Sequence, residues 1–366
     1  MQLNQLVIAL LLGAMLSACR IEIKTPTSGA VSTTSGNIDC AVGQLCDIDL
    51  VDIYFDEEFI ARPASGFVFE EWQDANGQLC RGEAGTCSVS TAVFAGNDFF
   101  EKLLSYQNIV AHLTPVFRST GFHTLFIGHS FFNPIAAAMR GHAAAAGIES
   151  HSDERVFNGG PNGAPEAFWN HPDQGPRIKG ILDEGYVDLF VMTYHGDYPD
   201  DTGYVNWIDY ALTNNPHIRI GLALPWGARP ASRTTAAYDT SWTAGHDGGW
   251  HKLLDRLRAQ FPDTEIFCIP YGFSAIELRK LLDAGNLDDV SQLTGAADDA
   301  IYTDALGHGG DILKDLAELV WLRAIYGIDL TTYPDTPGYS ADLNGIAQTI
   351  VDNHDPEYDA PYRSPD

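Results

Sequence analysis

Beyond about residue 121, short apolar runs alternate with helical stretches, a pattern that predicts an α/β domain built on a parallel sheet with helices on both faces. Ahead of it lies a stretch rich in Thr, Ser, Val and Ile, punctuated by Gly and Pro and carrying four closely spaced cysteines, which predicts a small all-β domain. A short apolar leader precedes both.

The leader reads MQLNQLVIALLLGAMLSAC, with an apolar run from Leu6 to Leu16. The run is too short to span a bilayer and has the length of a signal-peptide core. It ends in Leu16-Ser17-Ala18-Cys19, which resembles the lipobox of bacterial lipoproteins. The resemblance implies removal of residues 1–18 and acylation of Cys19. By analogy with lipoprotein sorting, Arg20 in place of Asp implies the outer membrane, the face being left open. No Lys or Arg precedes the apolar run, a departure from the usual signal. Membrane contact is expected through the N-terminal lipid only, because no other segment is apolar for long enough.

Residues 20–118 form the expected β domain. Cys40, Cys46, Cys80 and Cys87 fall within it, in a protein whose leader directs it to a compartment where disulfides persist. Pairing of close neighbours, Cys40 with Cys46 and Cys80 with Cys87, is preferred among the three pairings four cysteines allow. The stretch Ala61-x-Pro63-x-x-Gly66-Phe67-x-Phe69-x-x-Trp72 resembles the internalin-type β repeat of bacterial surface proteins, which implies a stalk or adhesion spacer. Trp72 reads as a core residue, with sugar stacking as the alternative. Residues 108–117 read as a closing strand, and the boundary is expected near Arg118 to Gly121.

In the second domain, residues 121–335, strands are expected at Thr124–Ile127, Val187–Met192, Ile218–Leu224 and Glu265–Ile269. Helices are expected at Pro134–Ala146, Tyr204–Leu212, His251–Gln260, Ser274–Ala284 and Asp311–Tyr326. Cys268, inside an apolar run, reads as a buried thiol. Ligands of such sheets bind at the carboxyl ends of the strands. The first strand runs into Gly128-His129-Ser130-Phe131, which sets the Ser130 hydroxyl at such an end. A serine ahead of a helix is ordinarily a cap. Far along the chain, however, Asp304 and His308 lie four residues apart just before a final helix. A hydroxyl nucleophile needs a base, and the base needs an acid to hold its tautomer; this loop supplies both.

Together these residues resemble the SGNH (GDSL-like) hydrolase family over essentially the whole second domain. That resemblance implies a three-layer α/β sandwich with a flavodoxin-like parallel sheet and a serine esterase working without metal or cofactor. Ser130 maps onto the nucleophile, His308 onto the base and Asp304 onto its orienting acid. The family's second block falls in residues 157–163, where Gly160 maps onto a backbone oxyanion donor and Gly159 is its rival. Three departures stand out. His129 occupies a position more often Asp or Asn, and the Asp-to-His spacing is one residue longer than usual. The third block, Thr193-Tyr194-His195-Gly196-Asp197, lacks the Asn donor, so His195 either replaces it or is simply packed or solvated.

Lys plus Arg total 21 against 49 Asp plus Glu, a formal charge of −28, which disfavours nucleic acid and anionic lipid as partners. No metal is expected either, since histidines such as His142, His171, His217, His246 and His251 form no recognised ligand spacing. The sequence Gly128-His129-Ser130-Phe131-Phe132 lacks the second glycine of the Gly-x-Ser-x-Gly elbow of an α/β-hydrolase. A metal-dependent hydrolase and a non-catalytic surface adhesin or glycan-binding protein are the alternatives. The expected substrate is an O-acyl ester, an acetylated polysaccharide or a short-chain ester, with oligomeric state left open. A long loop from Trp226 to Trp250 reads as a lid or binding wall, or equally as an ordinary packed insertion. The acidic, Pro-containing segment 336–366 is expected to be a tail, with one short helix at Leu343–Val351 and a disordered last dozen residues.

Overall fold

The computed structural model describes residues 19–360 apart from 27, 51, 65–66, 100–108, 149 and 335–337, so the leader and residues 361–366 lie outside the described residues. Two units are present, one comprising residues up to 64 with 68–118, the other 65–67 with 119 onward.

In the first unit the strands are β1 (Cys19–Lys24), β2 (Gly29–Thr33), β3 (Asp39–Cys40), β4 (Leu45–Leu50), β5 (Asp56–Pro63), β6 (Phe67–Trp72), β7 (Cys87–Ser90), β8 (Val110–Leu113) and β9 (Pro115–Ser119). They form sheets ordered β4-β1-β8 and β3-β2-β5-β7, with β6 beside β9. Strand alternation is plain in β1, where Cys19, Ile21 and Ile23 face inward and Arg20, Glu22 and Lys24 are less buried. Disulfides join Cys40 to Cys46 and Cys80 to Cys87. Trp72 is fully buried, and its indole N–H donates to the Gly85 carbonyl at 2.7 Å, so its ring is core rather than a sugar platform. Gly66 of the repeat-like stretch lies outside the described residues.

The second unit has the predicted α/β architecture. Its strands β10 (His123–Gly128), β11 (Ser152–Phe157), β12 (Leu189–Thr193), β13 (Arg219–Ala223) and β14 (Ile266–Ile269) lie in the order β11-β10-β12-β13-β14, all parallel. This is the flavodoxin-like order, with its switch point beside the first strand. Central strands are buried on both faces, which is why they read as continuous apolar runs. Alternate residues feed two cores. Phe126, Val191 and Phe267 face helices α1 (Asn133–Ala145), α7 (Phe273–Asp283) and α8 (Asp311–Tyr326), together with α9 (Leu343–Asp352). Leu125, Ile127, Phe190 and Leu222 face α2 (Pro165–Trp169), α3 (Gln174–Asp183), α4 (Thr202–Asn214) and α6 (His251–Gln260).

Three features depart from the sequence reading. Strand β11 and helices α2 and α3 have no counterpart in the apolar pattern; β11 is an edge strand reading SDERVF, of which only Val156 is buried. The stretch from Trp226 to Trp250 is mostly helical rather than loop, with α5 (Thr235–Gly245) running through a π-turn at His246–Trp250 straight into α6. Finally, much of the acidic segment after 336 is built into the unit. Helix α9 buries Leu343, Ala347, Ile350 and Val351 in the core beside α8, and His354, Asp359 and Ala360 beyond it are buried too. Its apolar face at helical spacing outweighs the Pro and Asp around it. Among the described residues no helix is long and apolar enough to cross a membrane.

Candidate active site

At the carboxyl end of β10 the chain turns through Gly128 to Phe132 before α1 begins at Asn133. Ser130 sits in this turn. The residue capping α1 is Phe132, without a side-chain cap, so the capping role open to a serine here is not the one Ser130 plays. Its Oγ lies 2.9 Å from His308 Nε2, a partner 178 residues away in sequence.

His308 Nδ1 lies 2.7 Å from Asp304 Oδ2. A carboxylate only accepts, so Nδ1 carries the proton and Nε2 presents a lone pair to the Ser130 hydroxyl. Asp304 is held by its other oxygen. Oδ1 accepts from the N–H groups of Leu306 (3.0 Å), Gly307 (2.9 Å) and His308 (3.1 Å). Desolvation works against its charge, yet together the His308 ring and the Gly307 and His308 amides outweigh it and bring its pKa down to about 2. The longer Asp-to-His spacing is absorbed at Gly307, whose φ of +106° is a conformation other residues rarely take. That turn is locked from outside by Trp226, whose indole donates to the Gly307 carbonyl at 2.7 Å, and by Arg229, whose amide donates to Leu306 at 2.8 Å.

His129 is a buried strut. Its Nδ1 accepts from the Phe131 amide at 3.3 Å, so its Nε2–H donates to the Tyr194 carbonyl at 2.9 Å. This ties the serine turn to the loop after β12. Burial, then the neighbouring His195 and His308, hold its pKa down to about 4 against the favourable bond to Tyr194. It is neutral at physiological pH.

His195, on that loop, meets the His129 ring edge-on at 5.3 Å. Its Nδ1 accepts from the Asp197 amide at 3.2 Å, which leaves the proton on Nε2 as a donor. Ser130, Gly160 and His195 line one cleft of about 730 Å³, within the size range of small-ligand sites. Gly160 adopts φ +56° and Gly159 does not line the cleft, which favours Gly160 of the two as a backbone donor. The close approach beneath the serine falls on Gly163, where a Cβ would stand 2.6 Å from the Gly128 and Asn158 carbonyl oxygens.

The opposite wall comes from the 226–250 stretch, including Trp226, Tyr238, Trp242 and Trp250. Trp226 stacks on Phe131 at 5.4 Å, and Phe131 in turn meets His308 edge-on at 5.2 Å. Arg279, 1% exposed, secures this wall by donating to the carbonyls of Pro230 and Arg233 at 2.8 and 2.9 Å. Of the three tryptophans expected there, Trp226 and Trp250 are almost wholly buried, leaving Trp242 partly open.

Chemically, the hydroxyl–imidazole–carboxylate chain can deliver an alkoxide-like oxygen at the floor of a cleft with hydrogen-bond donors on its walls. The roles of His129, Arg279 and Gly163 carry no local sequence signature, because each depends on a partner distant in the chain. The structure also gathers His246, His251 and His354, which sequence spacing did not connect.

No family model matches the chain, and no curated protein matches it. Among solved structures it is similar to a DUF4886 family protein from Bacteroides uniformis ATCC 8492, with TM-score 0.44 and 14% identity over 64% of this chain and 95% of that one. It is also similar to the periplasmic domain of a lipopolysaccharide acetyltransferase from Salmonella ser. Paratyphi A, with TM-score 0.30 and 13% identity over 41% of this chain and 67% of that one. Likeness at this level assigns neither a family nor an activity.

Proposed function

We propose that this protein is a serine ester hydrolase of the SGNH type, acting through an acyl-enzyme on small O-acyl esters, O-acetyl carbohydrate among them. The observation that carries this reading is the continuous chain from Ser130 Oγ through His308 to Asp304, with distances of 2.9 and 2.7 Å, opening on one cleft. Ser130 Oγ attacks the ester carbonyl while His308 Nε2 takes its proton, and Asp304 stabilises the resulting imidazolium. The Ser130 and Gly160 amides, with Nε2–H of His195, receive the charge that develops on the carbonyl oxygen. His308 then protonates the leaving alcohol and activates the water that releases the acid. Tyr194 and the open part of Trp242 give the cleft aromatic surface suited to a sugar ring.

The reading places the protein outside the cytoplasm, lipid-anchored through Cys19 at the outer membrane. Two disulfides in the first unit support export. Hydrolysis of p-nitrophenyl acetate, and acetate release from a panel of acetylated glycans, tests the activity. Both are expected to disappear in Ser130→Ala; activity surviving that change refutes the proposal.

A further inference from the structure

His246, His251 and His354 stand together in the second unit, and each is less than a tenth exposed. His246 opens the π-turn, His251 opens α6, and His354 follows α9. In an α-helix, residues five apart point to different sides. Here the wider π-turn, closed by the His251 amide on the His246 carbonyl, brings the two rings to 4.4 Å. His354 arrives from 108 residues away, its Nε2 3.2 Å from that of His246 and 3.4 Å from that of His251.

The protons on these rings are set by their outer partners. His246 Nδ1 lies 2.8 Å from Asp247 Oδ1, and His354 Nδ1 lies 2.5 Å from Asp359 Oδ1. Each carboxylate accepts a hydrogen bond from Nδ1–H, so the neutral rings turn bare Nε2 lone pairs toward one another at 3.2 Å. Whatever His251 donates, that contact remains lone pair against lone pair. A bound cation relieves it directly. Tetrahedral Zn²⁺, with Zn–N of about 2.0–2.1 Å, sets its nitrogens about 3.3–3.4 Å apart, close to both observed separations. Carboxylates on the outer nitrogens of ligating imidazoles are the usual support of such a site. The buried Cys268 Sγ lies 3.9 Å from His246 Nε2.

We propose that His246, His251 and His354 form a structural binding site for a zinc-class divalent transition-metal ion. Imidazole donors select this class over magnesium or calcium. The ion ties the segment after α9 to the π-turn, and His246, Gly249 and Trp250 of that turn line the cleft that holds Ser130. It shares no residue with the Ser130–His308–Asp304 chain, so the site stands or falls independently of the esterase reading.

The test uses the full chain, stripped with a strong chelator, re-exposed to Zn²⁺ or Co²⁺ and freed of excess metal. About one ion per chain is expected by mass spectrometric metal analysis, with a rise of a few degrees in Tm. Asp359→Asn is expected to weaken binding about 10–100-fold while the fold is kept. His354→Gln is expected to lose the ion, and Ser130→Ala to retain it. Should His354→Gln fail to fold, the wild-type Co²⁺ spectrum decides: intense tetrahedral bands support the site, and weak octahedral ones overturn it. Wild-type protein holding less than about a tenth of an ion per chain overturns it too, as does undiminished binding in both Asp359→Asn and His354→Gln.

Discussion

Asp304 and His195 ask the sharpest questions of single residues. Asp304 does two jobs at once, since Oδ2 orients His308 while Oδ1 gathers three backbone amides. Asp304→Asn preserves part of the amide cradle but places an uncharged group against Nδ1, so kcat is expected to fall about 10²–10⁴-fold with little change in KM. Steady-state kinetics on a chromogenic ester checks this, and an unchanged kcat removes Asp304 from the chain. His195 stands where the related pattern has an Asn, and its tautomer presents Nε2–H. His195→Ala is expected to lower kcat about 10²-fold, and His195→Asn to recover part of that loss. Equal activity in wild type and both variants would reduce His195 to packing. The Ser130–His308–Asp304 hydrogen-bonded chain was legible in sequence because each half is local: a serine directly after a strand, and an Asp and His on one loop before a helix. The neutral strut His129 was not legible, because its role is a bond to Tyr194, 65 residues away.

Among the elements, the turn from Asp304 to Gly309 has the least latitude. It spends one residue more than the related spacing and recovers it at Gly307, where φ is +106° and a Cβ would stand 2.9 Å from Pro230 Cδ. Gly307→Ala is expected to cost about 1–2 kcal/mol of stability and to lower kcat by more than that loss of folded protein explains. Chemical denaturation alongside kinetics on the folded fraction separates the two effects; a stability loss with kcat intact would show that the turn need not hold the His308 ring. Strands β10, β12, β13 and β14 could be read from their apolar runs because both their faces are buried, even though β14 lies at one edge of the sheet. The edge strand β11 could not, as it shows the core only Val156. Helix α5 escaped for a related reason: its residues, TAAYDTSWTAG, include a single buried side chain, Tyr238, so no apolar stripe marks it.

For the whole molecule, acidity is the informative variable. An unfolded histidine takes up its proton near pH 6.5, whereas His129 in the fold does so at about 4. Between those values the unfolded chain binds more protons, so this residue's contribution is complete above about pH 6.5 and drains away as pH falls toward 4. From about pH 7 to about pH 4.5 it amounts to roughly 2–3 kcal/mol. Denaturant melts are expected to show that much less acid sensitivity in His129→Asn than in wild type; parallel pH profiles would mean His129 is not held neutral by the fold. Long-range assembly of this kind was the part least visible in sequence. The β and α/β units announced themselves by composition, but the packing of α9 and the gathering of His246, His251 and His354 depend on distant partners and on a π-turn that breaks helical spacing. The central claim, that Ser130 is a nucleophile activated by His308, is tested most directly by a covalent adduct. After treatment with a fluorophosphonate, the intact protein is expected to gain one adduct mass, mapping to the peptide that contains Ser130 and absent in His308→Ala. Protein that hydrolyses esters yet stays unlabelled, or carries its adduct on another residue, would contradict it.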